Sequence, residues 1–134
     1  QIHATPDGRI GSRMYMHTRC LASAMVFALT KCTANPAVKD ESLRYSLGGE
    51  LPFRFHVAGT EIHNDELALE VAKYAGKELN WVTVDAQTSR PGHDLRYALD
   101  DSKIRSWGWE APMTLEDAIR ETVEWTMEHP AWLL

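Results

Sequence analysis

With 134 residues, the chain is the size of one compact domain, and 44% hydrophobic with 25% charged residues is ordinary for a soluble globular protein. Fourteen Lys and Arg against 19 Asp and Glu leave a formal charge of −5, the wrong sign for holding nucleic acid by general phosphate attraction. The longest apolar run, Leu21 to Leu29, is broken by Ser23 and falls short of the ~20 residues that cross a bilayer, so no transmembrane helix is expected. Nothing near Gln1 reads as a charged stretch followed by an apolar one, so no secretion signal is expected either.

A turn at Thr5-Pro6-Asp7-Gly8 precedes an extended arm around Met14 and Met16. From His17 to about Lys31 the apolar positions Leu21, Met25, Ala28 and Leu29 fall on one helical face, widened by Ala22, Val26 and Phe27. Residues 33–52 contain Pro36, Gly48-Gly49 and Pro52 and read as a long surface loop. Phe53 to Val57 alternates apolar with polar side chains, which predicts a strand. Asn64 then caps a helix with the stripe Leu67, Ala68, Val71, Ala72 and Ala75, stopped by Gly76. Trp81 to Val84 favours the extended state.

Pro91-Gly92 suits the central positions of a type II turn, and Leu95 to Leu99 resumes as a short strand. Asp100 or Asp101 caps a brief helix that runs to Trp107 and ends at Gly108. Thr114, with Asp117 three residues on, starts a last helix that turns Leu115, Ala118, Ile119, Thr122, Val123 and Met127 inward and ends before Pro130. The fold class expected is α/β in an α+β arrangement, a small mixture of helices and short strands forming a single domain over 1–134.

The turn at 90–96 carries most of the chemistry. It gathers Arg90, His93 and Arg96, and guanidinium forks match phosphate oxygens in a two-point geometry that Lys cannot copy. Arg13 joins them if the fold brings the first arm near. The competing reading is a surface turn with solvated charges. No glycine-rich phosphate loop is present, since Gly8 and Gly11 lack a third glycine. None of Tyr15, Tyr45, Tyr74 and Tyr97 has a Lys four residues on, the spacing that aims a phenol and an ammonium at one carbonyl.

The carboxylate pairs Asp65-Glu66 and Asp100-Asp101 sit at helix starts, where capping explains them. Among the six His residues only His17 lies a helical turn from another likely ligand, Cys20, and two ligands do not close a metal site. No catalytic residue and no metal are therefore assigned. Cys20 and Cys32, ~18 Å apart along one helix, read as reduced thiols of a cytoplasmic protein rather than a disulfide. The five Trp residues read as packing groups.

The strings Arg13-Met14-Tyr15-Met16-His17, Phe55-His56-Val57-Ala58-Gly59, Ser89 through Asp100, Lys103-Ile104 with Gly108-Trp109, and Thr122-Val123-Glu124-Trp125 are read together. In this order the chain resembles the C-terminal part of the extended short-chain dehydrogenases, in the NAD-dependent epimerase/dehydratase family and closest to the dTDP-glucose 4,6-dehydratases. The resemblance spans all but the first few residues and Thr33 to Pro52. Two departures stand out: Cys20 replaces the usual acidic or amide residue near the helix start, and the 33–52 loop is longer than usual.

The resemblance implies that Arg13, Arg90 and His93, with Arg96 in the same cluster, belong to a surface that grips the diphosphate of a nucleotide sugar. It also implies that NAD and the hydride chemistry belong to a companion Rossmann half, so no cofactor is assigned to this chain and the isolated chain is not expected to be catalytic. In the relatives the helix from His17 and the strand from Phe53 pack against that half, so a homo-oligomer or a companion protein chain is the expected partner. The alternative is a catalytically empty stand-alone descendant serving as a protein-binding or structural module. Neither nucleic acid nor membrane is expected as a partner.

Overall fold

The computed structural model describes residues 1–34 and 54–133, with backbone alone at 32–34. In chain order the elements are β1 (Ile2–Ala4), β2 (Ser12–Tyr15), α1 (Thr18–Ala34), β3 (Thr60–His63), α2 (Asn64–Ala75), β4 (Thr83–Asp85), α3 (Ala86–Ser89), β5 (Arg96–Tyr97), α4 (Ser102–Ser106), α5 (Leu115–Glu128) and a final 3-10 turn, Pro130–Leu133. This is the expected mixture of helices and short strands. No helix among the described residues is long and apolar enough to cross a membrane. The residues group into two compact units, one of 1–17, 58–99 and 113–133, the other of 18–34, 54–57 and 100–112.

In the first unit β2 lies between β3, antiparallel with Tyr15 opposite Thr60, and β5, parallel with Arg13 opposite Tyr97. A second, two-stranded parallel ladder joins β1 to β4, from Ile2 opposite Thr83 to Ala4 opposite Asp85. Strand β1 is short and its partner lies far along the chain, so local periodicity did not reveal it. The expected strand at Phe53–Val57 is not formed at 54–57, and Phe53 lies outside the described residues. The strand begins instead at Thr60, just after Gly59, where a Cβ would overlap the Tyr15 carbonyl. The strand expected over Trp81 to Val84 starts at Thr83, and the one expected over Leu95 to Leu99 keeps only Arg96 and Tyr97.

Helix α2 starts one residue earlier than expected. His63 is its N-cap, Glu66 accepts the His63 N–H at 3.2 Å, and Gly76 closes the other end in the left-handed region at φ 62°. Asn64 takes another role, accepting the Tyr15 hydroxyl at 3.0 Å. Helix α5 begins as expected, with Thr114 accepting the Asp117 N–H, and buries Ala118, Ile119 and Val123. Met127, expected inward, is exposed. These helices pack on each other.

In the second unit α1 reaches Ala34, so Thr33 and Ala34 are helical and the rest of the expected loop lies outside the described residues. On its covered side Cys20 and Ala24 are buried and Ser23, Phe27 and Ala28 half-buried, whereas Leu21, Met25, Val26 and Leu29 are exposed. Of the apolar face read from the sequence, Phe27 and Ala28 are thus covered and the rest is turned outward. A helix apolar nearly all round gives periodicity little to choose between, and the choice falls to packing: Trp109 is buried and its indole N–H donates to Ser23 Oγ at 3.3 Å. Phe55 meets Trp107 edge-on at 5.1 Å, so its side chain serves packing rather than a ladder. Ile104, on α4, is fully buried. Cys20 is a buried free thiol, while the side chain of Cys32 lies outside the description.

Candidate functional site

The site is built at the C-terminal edge of the β1–β4 ladder. Asp85 ends β4 and caps α3, accepting the Gln87 N–H at 2.9 Å and the Thr88 hydroxyl at 2.5 Å. The helix lasts one turn because Pro91 follows, and Arg90 donates its N–H back to Ala86 at 2.9 Å. His93 N–H then bonds to Arg90 O at 3.2 Å across Pro91 and Gly92, with Gly92 at φ 79°. This is the expected tight turn, and the positive φ is why its third residue is glycine. Across the ladder, His3 Nδ1 lies 2.9 Å from Ser89 Oγ, which ties the first strand to the end of α3.

A cavity of about 390 Å³ opens beside this turn. Arg13, Arg90 and His93 all line it, together with His3, Asn64, Gln87, Asp94 and Arg9. Three of the four residues singled out in the sequence therefore meet in one concavity. The fourth does not: Arg96 is absent from the lining and holds Glu61 in a two-point ion pair. Arg9 was missed because only the fold brings it there. Its single sequence signal was position, one residue after the turn glycine Gly8, which sits at φ 84°.

The guanidinium groups are not equivalent. Arg13 Nη1 donates to Ser12 O at 2.6 Å and Leu95 O at 2.9 Å, Nη2 donates to Asp94 O at 3.1 Å, and the group stacks 4.2 Å from the Tyr97 ring centre. A guanidinium has five donors, so two remain for a ligand. Arg13 both lines the cavity and fixes the backbone that follows the turn. The side chains of Arg90 and His93 have no hydrogen-bond or ion-pair partner among the described residues. Arg9 donates its Nε–H to Asp7 Oδ2 at 2.9 Å, and hydrogen bonding from Thr5 together with the Arg9 charge holds the Asp7 carboxyl below its ordinary range. Against three guanidinium groups the lining contains one carboxylate, that of Asp94.

A second cavity of about 270 Å³, between Tyr15, Met16 and the facing sides of α2 and α5, is almost wholly apolar. Among the described residues no three His, Cys, Asp or Glu side chains gather as a metal site.

No family model matches the chain. Among curated proteins it is 41% identical over 88 residues to a dTDP-glucose 4,6-dehydratase of Streptomyces niveus, a match that covers 64% of the chain and 26% of that protein. It is 51% identical over 45 residues to dTDP-glucose 4,6-dehydratase 1 of Escherichia coli K12, covering 33% of the chain and 12% of that protein. Among solved structures, the dTDP-glucose 4,6-dehydratase of Bacillus anthracis, crystallised with NAD, superposes on 97% of the chain and 35% of its own length at a TM-score of 0.65 and 24% identity. That superposition speaks for the fold, and the sequence matches speak for kinship. The chain is thus similar to the C-terminal part of the dTDP-glucose 4,6-dehydratases and spans about a quarter of the Streptomyces relative.

Proposed function

We propose that this chain forms the substrate side of an NAD-dependent sugar-nucleotide 4,6-dehydratase or epimerase, the part that grips the nucleotide diphosphate. The observation that carries the reading is the cavity itself: Arg13, Arg90 and His93, far apart in sequence, converge on one concavity whose lining has a single carboxylate. Two free donors on Arg13, an unpartnered Arg90 and the His93 ring supply hydrogen bonds that a diphosphate accepts. Asn64 and Gln87 add neutral polar contacts at the same surface.

NAD does not fit these residues. The strand–helix junctions β3–α2 and β4–α3 carry His63-Asn64 and Asp85-Ala86 instead of glycines, and the Asp85 carboxylate occupies the α3 N-terminus where a pyrophosphate would sit. Together with the lack of a Tyr-x-x-x-Lys pair in the sequence, this supports the reading that hydride and proton transfer belong to a companion Rossmann half. By itself the chain binds substrate and does not turn it over. Its buried free thiol, Cys20, agrees with a reducing, cytoplasmic setting.

A protein partner is expected under this reading and under the alternative of a stand-alone binding module: Leu21, Met25, Val26 and Leu29 expose a broad apolar surface on α1. Either a second copy or a companion chain would cover it, and light scattering that finds a monomer at micromolar concentration overturns this part. The substrate-side reading is tested by calorimetric titration with dTDP. Saturable binding is expected, weakened roughly tenfold or more by Arg90→Ala, and silence with the intact chain overturns it.

A further inference from the structure

Arg9 is the one guanidinium in the cavity that the sequence did not place there. It stands at the end of the turn from Thr5, where its backbone is fixed by a pair of bonds: Thr5 N–H to Arg9 O at 2.9 Å, and Arg9 N–H to Thr5 Oγ1 at 3.0 Å. The side chain is not fixed in the same way. Its single carboxylate partner, Asp7, leaves both terminal nitrogens without a bond, and the two side chains are 69% and 61% exposed. Ion pairs this open to water are weak tethers. A ligand anion can therefore take the outer face of Arg9 while Asp7 keeps the Nε side.

The cavity thus combines three kinds of arginine. Arg13 is anchored to three carbonyl oxygens, Arg90 stands without a partner, and Arg9 is lightly tethered. We propose that Arg9 is a third phosphate-contacting residue and that it reads the second phosphate of the ligand, favouring a nucleoside diphosphate over the monophosphate. This rests on the reading of the cavity as a diphosphate site. A monophosphate is satisfied by Arg90 and the free donors of Arg13. A second phosphate, with its added charge and acceptor oxygens, needs a further cation, and Arg9 is the guanidinium left to meet it.

The test is calorimetric titration of the full chain with dTDP and with dTMP. Arg9→Gln is expected to weaken dTDP binding about fivefold and dTMP binding less than twofold, so the preference for the diphosphate shrinks, and Arg9→Lys restores part of it. Asp7→Asn separates contact from scaffolding. It removes the same ion pair yet leaves the Arg9 cation, so it tightens dTDP binding if Arg9 touches the ligand. If Arg9→Gln leaves the diphosphate-to-monophosphate ratio unchanged while Arg90→Ala abolishes binding, the proposal for Arg9 fails and the diphosphate site stands. An intact chain that binds neither nucleotide overturns both.

Discussion

Arg96 and Glu61 face each other across strand β2 and form a two-point ion pair, Nε to Oε1 at 2.6 Å and Nη2 to Oε2 at 2.7 Å, with the Ser12 hydroxyl of β2 donating to the same Oε1 at 2.6 Å. One carboxylate thereby ties all three strands of the sheet. The arrangement explains why Arg96 contributes nothing to the cavity although it sits only three residues beyond His93.

Stability at low pH should report this tie. Hydrogen bonding from Arg96, then from Ser12, holds the Glu61 carboxyl down at about 2 from an ordinary 4.5. A carboxyl lowered on folding contributes stability above its unfolded value and loses that contribution as the pH falls through the folded one. The melting temperature is therefore expected to drop between about pH 5 and pH 2 more steeply in the native chain than in Glu61→Gln. Parallel curves for the two proteins would refute the tie. Because Arg96 is 61% exposed, the difference is modest and shrinks with salt.

Gly59 is held by space rather than by torsion. Any Cβ there would overlap the backbone carbonyl of Tyr15, which cannot swing aside because Tyr15 is paired with Thr60 in the β2–β3 ladder. Gly59→Ala is expected to cost about 3 kcal/mol or more by chemical denaturation. At Gly76 the same change meets open space but a φ of 62°, and should cost about 1 kcal/mol. Equal costs would mean that strand β3 can shift to relieve the overlap.

Thr114 opens α5 by accepting the Asp117 N–H at 3.1 Å while donating to the Asp117 carboxylate at 2.7 Å. Asp117 in turn pairs with Arg120 at 2.6 Å. Replacing Thr114 with Ala removes both bonds and is expected to cost about 1 kcal/mol, most of it restored by Ser. An alanine variant with an unchanged denaturation midpoint would show that the cap is dispensable.

Features set by neighbours in the chain were legible in the sequence. The Pro91-Gly92 turn, the Thr114 cap and the stop at Gly76 each follow from a few adjacent residues, and each stands as read. Features set by distant partners were not. Strand β1 exists through a parallel ladder with β4, and the buried side of α1 was chosen by Trp109 and its contact with Ser23. The site divides the same way. Arg90 and His93 were visible as a turn cluster, Arg13 joined them through the resemblance, and Arg9 and the diversion of Arg96 to Glu61 needed the fold.

His3 and Ser89 meet across the rim of the cavity although 86 positions separate them. Closing so wide a span costs chain entropy before any contact on the far side repays it. The anion-binding surface is accordingly a property of the assembled unit and not of the Arg90–Asp94 segment, and a peptide excised with that segment would carry the charges without the shape that gives them a common target.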